Sequence, residues 1–375
     1  MHVSPILWIC AGCLLFLAAC AGSGAPSAIH LDEQAELGRL LFFDPSLSEP
    51  AGQSCATCHA PERHFTDPRG TLTSQGVLPG LFGSRNAPSA AYAAFSPAFH
   101  YDEAGGTYQG GQFLDGRAST LEDQAQGPPL NPIEMHNPDR AAYVAKVALA
   151  PYASRLRQVH GQDLFLDPER AFQVIAQSIA TFERTALFSP FSSKYDAHLK
   201  GGAVLTQQER RGLELFEGRA GCSACHPNRS EDPRTPPLFT DFTYDNLGVP
   251  RNPDNPFYTL APALNPDGAA FVDIGLAGNA QVIRDGRSLE SRGKFKVPSL
   301  RNLAETPPYM HNGSLPTLLD VVRFYNRRDL EPLRFDPPEV PDNVNRRELG
   351  SLGLSGEEED ALVAFLNTLT DGYRP

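Results

Sequence analysis

The sequence predicts a mainly α-helical protein whose chain is an internal duplication, and three observations support this. Four segments have the apolar periodicity or the capping residues of helices, and no segment is rich in strand-forming residues. Two of these helices carry the pattern Gly-x-x-Leu-Phe, and each precedes a Cys-x-x-Cys-His pentapeptide. The 34 prolines and 32 glycines predict long irregular loops between the helices.

The glycines of the repeated pattern, Gly38 and Gly212, are expected to let a second helix cross closely. The third and fourth helices each begin with a capping box, in which Thr or Ser is followed three residues later by Glu. The proline-rich stretch 227–268 is expected to be an irregular loop. The predicted helices span residues 31–44, 168–187, 205–217 and 355–369.

The two pentapeptides carry most of the chemical information. Cys-x-x-Cys-His is the attachment signature of c-type haem, because two thiols on one helical turn meet the two vinyl groups and the next His binds the iron. A redox dithiol or half a zinc site is an alternative for one copy, but two copies make it improbable. The predicted haem ligands are Cys55, Cys58 and His59, and Cys222, Cys225 and His226.

The other three cysteines, Cys10, Cys13 and Cys20, lie in an apolar N-terminal leader, so no disulfide framework is expected. The residues before Cys20 are typical of a bacterial lipobox, with an ordinary signal peptide as the alternative. Cys20 is therefore a predicted lipidation site, and export to the periplasm on a lipid anchor agrees with c-type haem. The predicted division is signal peptide 1–19, tether 20–29, N-terminal domain 30–190 and C-terminal domain 191–375.

The net charge of −12 argues against a nucleic-acid partner, since phosphate binding needs a basic excess. It is compatible with an exported enzyme and with basic protein partners.

The chain resembles the bacterial di-haem cytochrome c peroxidase family, which includes MauG and MbnH. The resemblance rests on both pentapeptides, on Glu134-Met135 and on five further stretches, and covers nearly the whole chain after the leader. It implies two tandem cytochrome c-like domains, each with one haem. The stretches are Leu40-Leu41-Phe42-Phe43-Asp44-Pro45, Phe113-Leu114-Asp115-Gly116-Arg117, Phe182-Glu183-Arg184-Thr185, residues 295–302 and residues 308–313.

For the haem on His59, the resemblance implies a peroxide-binding iron served by Gln124 and Glu134, with Pro128 as a pocket wall. Without the resemblance, Glu134 would read as a solvated loop acid. Members that need reductive activation cap this iron with a loop His, but residues 75–80 contain none. We therefore expect a five-coordinate iron, with His64 at the surface or lining the pocket.

For the haem on His226, the resemblance implies Tyr325 as the second axial ligand, at the position where the peroxidases have Met. A phenolate favours ferric and higher iron states. A core aromatic role for Tyr325, or ligation by Met310, is the alternative. His311 is expected near the propionates of this haem.

The resemblance also implies a calcium ion between the haems. Its expected ligands are the side chain of Asn86 and the carbonyls of Thr306 and Pro308, which suit a hard cation. One departure is Leu114, which occupies the position of a Trp that usually lies between the haems.

Three functions follow. The first is a MauG-like enzyme, in which hydrogen peroxide generates a high-valent di-haem state that oxidises residues of a partner protein. The second is a cytochrome c peroxidase that takes electrons from a small cytochrome c or cupredoxin. The third is a non-enzymatic electron-transfer cytochrome, which Gln124 and Glu134 argue against.

Overall fold

The computed structural model describes residues 1–2, 27–230 and 232–374. The expected signal peptide, the lipidation site Cys20 and most of the expected tether lie outside this part of the chain. The tether was expected to end at residue 29, but its last three residues already belong to the first helix. No helix among the described residues is long and apolar enough to cross a bilayer.

The architecture is mainly helical, with long connections and two small antiparallel ribbons. Strand β1 pairs with β2, and β3 pairs with β4, placing Tyr244 opposite Lys296. The strands are β1 His100–Asp102, β2 Thr107–Gln109, β3 Tyr244–Asp245 and β4 Phe295–Lys296. The helices are α1 Ser27–Phe42, α2 Cys55–Cys58, α3 Leu121–Ala125, α4 Arg140–Leu149, α5 Ala153–His160, α6 Pro168–Glu183, α7 Lys194–Leu199, α8 Gln207–Glu217, α9 Ala280–Arg284, α10 Leu318–Arg327 and α11 Gly356–Asn367.

The four predicted helices are present as α1, α6, α8 and α11, and both capping boxes form. Helix α1 begins four residues earlier than expected, and α6 ends at Glu183 rather than at residue 187. The chain turns after α6, which leaves Leu187 exposed and brings Phe188 into the core. Its ring stacks on Phe65 with 3.8 Å between centroids and meets Phe42 edge-on.

Two helix crossings have the same construction in the two halves of the chain. A Cβ added to Gly38 in α1 would lie 1.9 Å from the carbonyl oxygen of Ser178 in α6. A Cβ added to Gly212 in α8 would lie 2.0 Å from the carbonyl oxygen of Ala361 in α11. Only glycine allows the helix backbones this close, so the expected close crossing is present in both halves.

Each crossing sits in its own hydrophobic cluster. The first contains Phe42 and Phe182, and Cys55 packs against it. The second contains Phe216 and Phe365, and Cys222 packs against it. Both haem motifs therefore lie against the apolar side of a helix pair.

Candidate functional site

Both pentapeptides fold as a single helical turn. The backbone N–H of His59 donates to the carbonyl of Cys55 (3.0 Å), and that of His226 donates to the carbonyl of Cys222 (2.9 Å). The four cysteines form no disulfide. Burial raises the pKa of both Cys55 and Cys222 to about 12, so these thiols remain protonated until they react.

The two histidines are held in the same way. Nδ1 of His59 lies 3.0 Å from the carbonyl oxygen of Phe65, and Nδ1 of His226 lies 2.8 Å from that of Phe239. Burial lowers the pKa of each imidazole, which keeps it neutral. A neutral imidazole that donates from Nδ1 presents the lone pair of Nε2, which is the form that binds a metal.

A serine holds each of these phenylalanines in place. Phe65 and Phe239 have φ values of 60° and 56°, in the left-handed region. The hydroxyl of Ser89 donates to the carbonyl of His64, just before Phe65, and the hydroxyl of Ser299 donates to that of Leu238, just before Phe239.

This pair of serines was not predicted from the sequence. Its signal is the dipeptide Pro-Ser at residues 88–89 and 298–299, a dipeptide that also occurs at residues 26–27 and 45–46. His64, whose carbonyl Ser89 binds, is itself half-buried at a left-handed position.

The predicted acid–base groups of the first site lie on two neighbouring short elements. Gln124 lies on α3 and Pro128 begins the following 3-10 turn, and both are half-buried. Glu134 follows this turn, and its carboxylate accepts a hydrogen bond of 2.8 Å from Asn131. The side chain of Gln124 makes no hydrogen bond to any described residue, so its amide is available to a ligand.

Glu134 is close enough to the first pentapeptide to act on it electrostatically. Burial, together with smaller effects that include the charge of Glu134, raises the pKa of Cys55 and Cys58. Burial also raises the pKa of Glu134 itself, opposed by Arg117 and by the Asn131 hydrogen bond. The carboxyl group is therefore poised to exchange a proton nearer neutral pH.

The loop of residues 75–80, which contains no histidine, packs against the backbone that carries Glu134. The N–H of Val77 donates to the carbonyl of Glu134 (2.9 Å), and that of Gly76 donates to Leu81 (2.8 Å). A Cβ at Gly76 would lie 1.6 Å from the carbonyl oxygen of Ile133. The loop therefore packs on the backbone that carries Glu134.

The second site is a cavity of about 380 Å³. Its walls include the pentapeptide residues Cys222, Cys225 and His226. Tyr325 of α10 and Met310 also line it, so both predicted candidates for the second axial ligand face the same space. The remaining wall is largely apolar, with Phe216, Leu300, Leu318, Val322, Leu362 and Leu366.

Polar atoms of Tyr325, His311 and Glu339 in this cavity lack partners within the described part of the chain. The hydroxyl of Tyr325 makes no hydrogen bond, and burial raises its pKa. Nε2 of His311 is buried without a partner, while its ring stacks on Phe295 at 3.8 Å. An apolar cavity with a metal-binding imidazole and unpaired polar atoms fits a haem, whose iron and propionates would satisfy those atoms.

The three predicted calcium ligands line this cavity as well. Asn86 donates from Nδ2 to the carbonyl of Leu72 (3.1 Å), which leaves its side-chain oxygen without a donor. The carbonyls of Thr306 and Pro308 accept no hydrogen bond from the described residues. These free oxygens fit a hard cation. No group of three or more His, Cys, Asp or Glu side chains in the described chain could hold a metal by itself.

Leu114 lies on the wall of the same cavity, and its carbonyl accepts a hydrogen bond of 2.8 Å from the N–H of Lys296.

Comparisons with known proteins agree with this geometry. A sequence model of the family "Di-haem cytochrome c peroxidase" matches residues 32–203. The chain is 42% identical to the methylamine utilization protein MauG of Paracoccus denitrificans, over 98% of this chain and 96% of that protein. It is 32% identical to cytochrome c551 peroxidase of Nitrosomonas europaea, over 90% of this chain and 80% of that protein.

Among solved structures, the diheme peroxidase BthA of Burkholderia thailandensis superposes with a TM-score of 0.80 at 38% identity, covering 90% of this chain and 86% of that one. The family model ends at residue 203 and includes only the first pentapeptide, whereas the match to MauG extends over 98% of the chain. The chain therefore belongs to the di-haem cytochrome c peroxidase family, with MauG among its relatives.

Proposed function

We propose that this protein is a MauG-like di-haem oxidoreductase that uses hydrogen peroxide to oxidise residues of a partner protein. Two covalently bound c-type haems, one in each of two tandem cytochrome c-like domains (30–190 and 191–375), would supply the irons that react with peroxide and store its oxidising equivalents. The observation that carries the proposal is that His226 and Tyr325 line the same largely apolar cavity.

At the first site, the residues divide the work of splitting peroxide. His59 would bind the iron through Nε2, because Nδ1 is already committed to Phe65. Glu134 would take the proton of the bound peroxide and return it to the leaving oxygen, and Gln124 would hold the peroxide by hydrogen bonding. Pro128 would close one side of the pocket.

At the second site, His226 and Tyr325 would close both faces of the iron. A tyrosine ligand must lose its phenolic proton, and the positive charge of ferric iron favours that loss. A phenolate stabilises ferric and higher states more than a thioether does. This ligand suits an enzyme that holds oxidising equivalents, whereas the peroxidases of this family have Met here. His311 would satisfy its free Nε2 with a propionate of this haem.

The calcium ion would bind between the haems through Asn86, Thr306 and Pro308, whose oxygens are free at one wall of the cavity. Export to the periplasm and anchoring through Cys20 complete the proposal, since c-type haem is attached outside the bacterial cytoplasm.

Electron paramagnetic resonance of the resting ferric holoprotein tests the assignment of the two irons. We expect one high-spin and one low-spin ferric haem. Tyr325→Phe should change the low-spin spectrum. Tyr309→Phe is a matched control, because Tyr309 lines the same cavity but its hydroxyl already donates to the carbonyl of Leu303 (2.6 Å). Two low-spin haems at rest, or an unchanged spectrum in Tyr325→Phe, would contradict the proposal.

A cytochrome c peroxidase is the second candidate, favoured by the 32% identity to cytochrome c551 peroxidase. Steady-state turnover separates the two. Fast peroxide reduction with a reduced cytochrome c or cupredoxin indicates the peroxidase. Slow turnover, with a long-lived oxidised state that one partner protein quenches, indicates the MauG-like enzyme.

A further inference from the structure

Tyr92 occupies the boundary between the two haem sites. It is buried, with 2% of its surface exposed, and it lines the second cavity together with Leu114. Two residues earlier in the same segment, the N–H of Ala90 donates to the carbonyl of Phe65 (3.1 Å). That carbonyl also receives Nδ1 of His59. The segment from Ala90 to Tyr92 therefore connects the support of the first histidine to the wall of the second cavity.

Tyr92 is the counterpart of Asn302 in the internal duplication. Each lies three residues after the serine of a Pro-Ser pair, and each has a left-handed backbone, with φ values of 62° and 67°. Both side chains donate to Oδ2 of Asp371, Tyr92 at 2.8 Å and Asn302 at 3.0 Å. Equivalent positions of the two halves thus meet at one carboxylate, and only one of them carries a redox-active ring.

The surroundings of Tyr92 favour loss of an electron together with a proton. The guanidinium of Arg301 lies 4.9 Å from the ring centroid, which disfavours a positively charged ring. Burial raises the pKa of the phenol above its usual range, so the proton stays on the ground-state ring. Asp371, which already accepts the phenolic hydrogen bond, is placed to receive that proton.

We propose that Tyr92, at the boundary of the two haem sites, is a redox relay from the partner protein to the di-haem centre, with Asp371 as its proton acceptor. In the step, Tyr92 gives one electron to the peroxide-oxidised di-haem centre, which is thereby reduced by one electron. The phenolic O–H bond breaks, its proton passes to Asp371, and a neutral tyrosyl radical remains. An electron from the partner protein reduces the radical, and the proton returns from Asp371. The oxidant is the hydrogen peroxide of the proposed function, on which this inference rests.

Tyr92 supplies the oxidisable side chain that is missing at Leu114. A saturated side chain has no accessible oxidised state, so the wall position that usually carries Trp cannot carry the charge here. Tyr92 lines the same cavity and is an oxidisable ring whose hydroxyl already donates to a proton acceptor, Asp371.

Freeze-quench electron paramagnetic resonance after addition of hydrogen peroxide to the holoprotein tests the relay. We expect a tyrosyl radical signal that narrows when the protein is made with ring-deuterated tyrosine. Tyr92→Phe should abolish it. Tyr108→Phe is the matched control, because Tyr108 is also buried and donates to a carboxylate, Asp285, at 2.7 Å. Asp371→Asn should slow formation of the radical at least about 100-fold, the lower end of what a positioned base contributes.

Because Tyr92→Phe also removes the acceptor of the Phe191 N–H (3.0 Å), a variant that keeps the hydroxyl is needed. Tyr92→3-fluorotyrosine should add a fluorine splitting to the radical signal. If the haem spectra change with peroxide but no tyrosyl signal forms, or the signal survives in Tyr92→Phe, the relay is wrong and the proposed function stands. If peroxide leaves the haem spectra unchanged, both are wrong.

Discussion

The replacement Gly212→Ala tests how closely helices α8 and α11 approach each other. The added Cβ would lie 2.0 Å from the carbonyl oxygen of Ala361 and 2.7 Å from Cβ of Phe365, whereas 3.4 Å or more is ordinary contact. Helices α8 and α11 must therefore separate by at least about 1 Å, enough to forfeit a quarter to a half of each dispersion contact between them. Overpacking of this kind costs about 1–3 kcal/mol.

For a domain the size of the proposed C-terminal one (191–375), such a cost lowers the melting temperature of the holoprotein by about 3 to 10 °C. The assay is thermal denaturation followed at once by far-ultraviolet circular dichroism and by the Soret band. Helix α8 leads into Cys222, so both signals should shift together.

The matched control is Gly356→Ala in the same helix pair. Gly356 begins α11, is exposed, and has no atom within 4 Å of an added Cβ. Alanine there should leave the melting temperature unchanged or raise it by about 2 °C, since Ala is the better helix former. The reasoning fails if Gly212→Ala melts within about 1 °C of the wild type.

Three further predictions concern buried charges. Asp196→Asn breaks a buried ion pair with Arg301 that consists of two hydrogen bonds of 2.9 Å. It should destabilise the protein by about 3–5 kcal/mol in thermal melts. Asp232→Asn, at an exposed ion pair, should leave the melting temperature unchanged. Burial raises the pKa of Glu134 above the ordinary value of 4.5. As the pH is lowered, the rate of reaction with peroxide should therefore begin to fall while the pH is still above 4.5. Glu134→Gln should lose that acid limb and about 100-fold in stopped-flow rate, and an unchanged profile would remove Glu134 as the base. Burial raises the pKa of Glu183 to about 8, so its contribution to stability is present below pH 4.5 and is lost as the pH rises to about 8; Glu183→Gln should flatten the melting temperature over this range.

The sequence was sufficient for features that are local in the chain. The capping boxes and the single-turn pentapeptides depend on residues within a few positions of one another, and the structure contains each of them. For the two glycine crossings, the repeated glycine was visible in the sequence, but the helix that crosses it was not. The end of α6 was misplaced by four residues, because it is decided by where Phe188 must pack rather than by helix propensity.

Contacts between distant segments were beyond sequence reasoning. The Pro-Ser pairs are visible as a repeated dipeptide, but their role depends on which carbonyl each serine reaches. The close approach of Gly76 to Ile133 is likewise a contact between two loops, and no periodicity in the sequence predicts it. The placement of Tyr92 beside Asp371 joins segments 279 residues apart.

The matched supports of the two histidines have a consequence for how the irons differ. Nδ1 of each imidazole is hydrogen-bonded to the carbonyl oxygen of a phenylalanine with a left-handed backbone, at 3.0 Å in the first half and 2.8 Å in the second. Hydrogen bonds this similar give the two imidazoles nearly equal basicity, so as iron ligands they would be interchangeable. All divergence between the halves would then be confined to the opposite faces. A chimera that exchanges residues 60–66 with the residues leading to Phe239 should keep both haem spectra. Exchanging the segments that carry Gln124 and Glu134 with the segment that carries Tyr325 should instead exchange the high-spin and low-spin signals of the two irons.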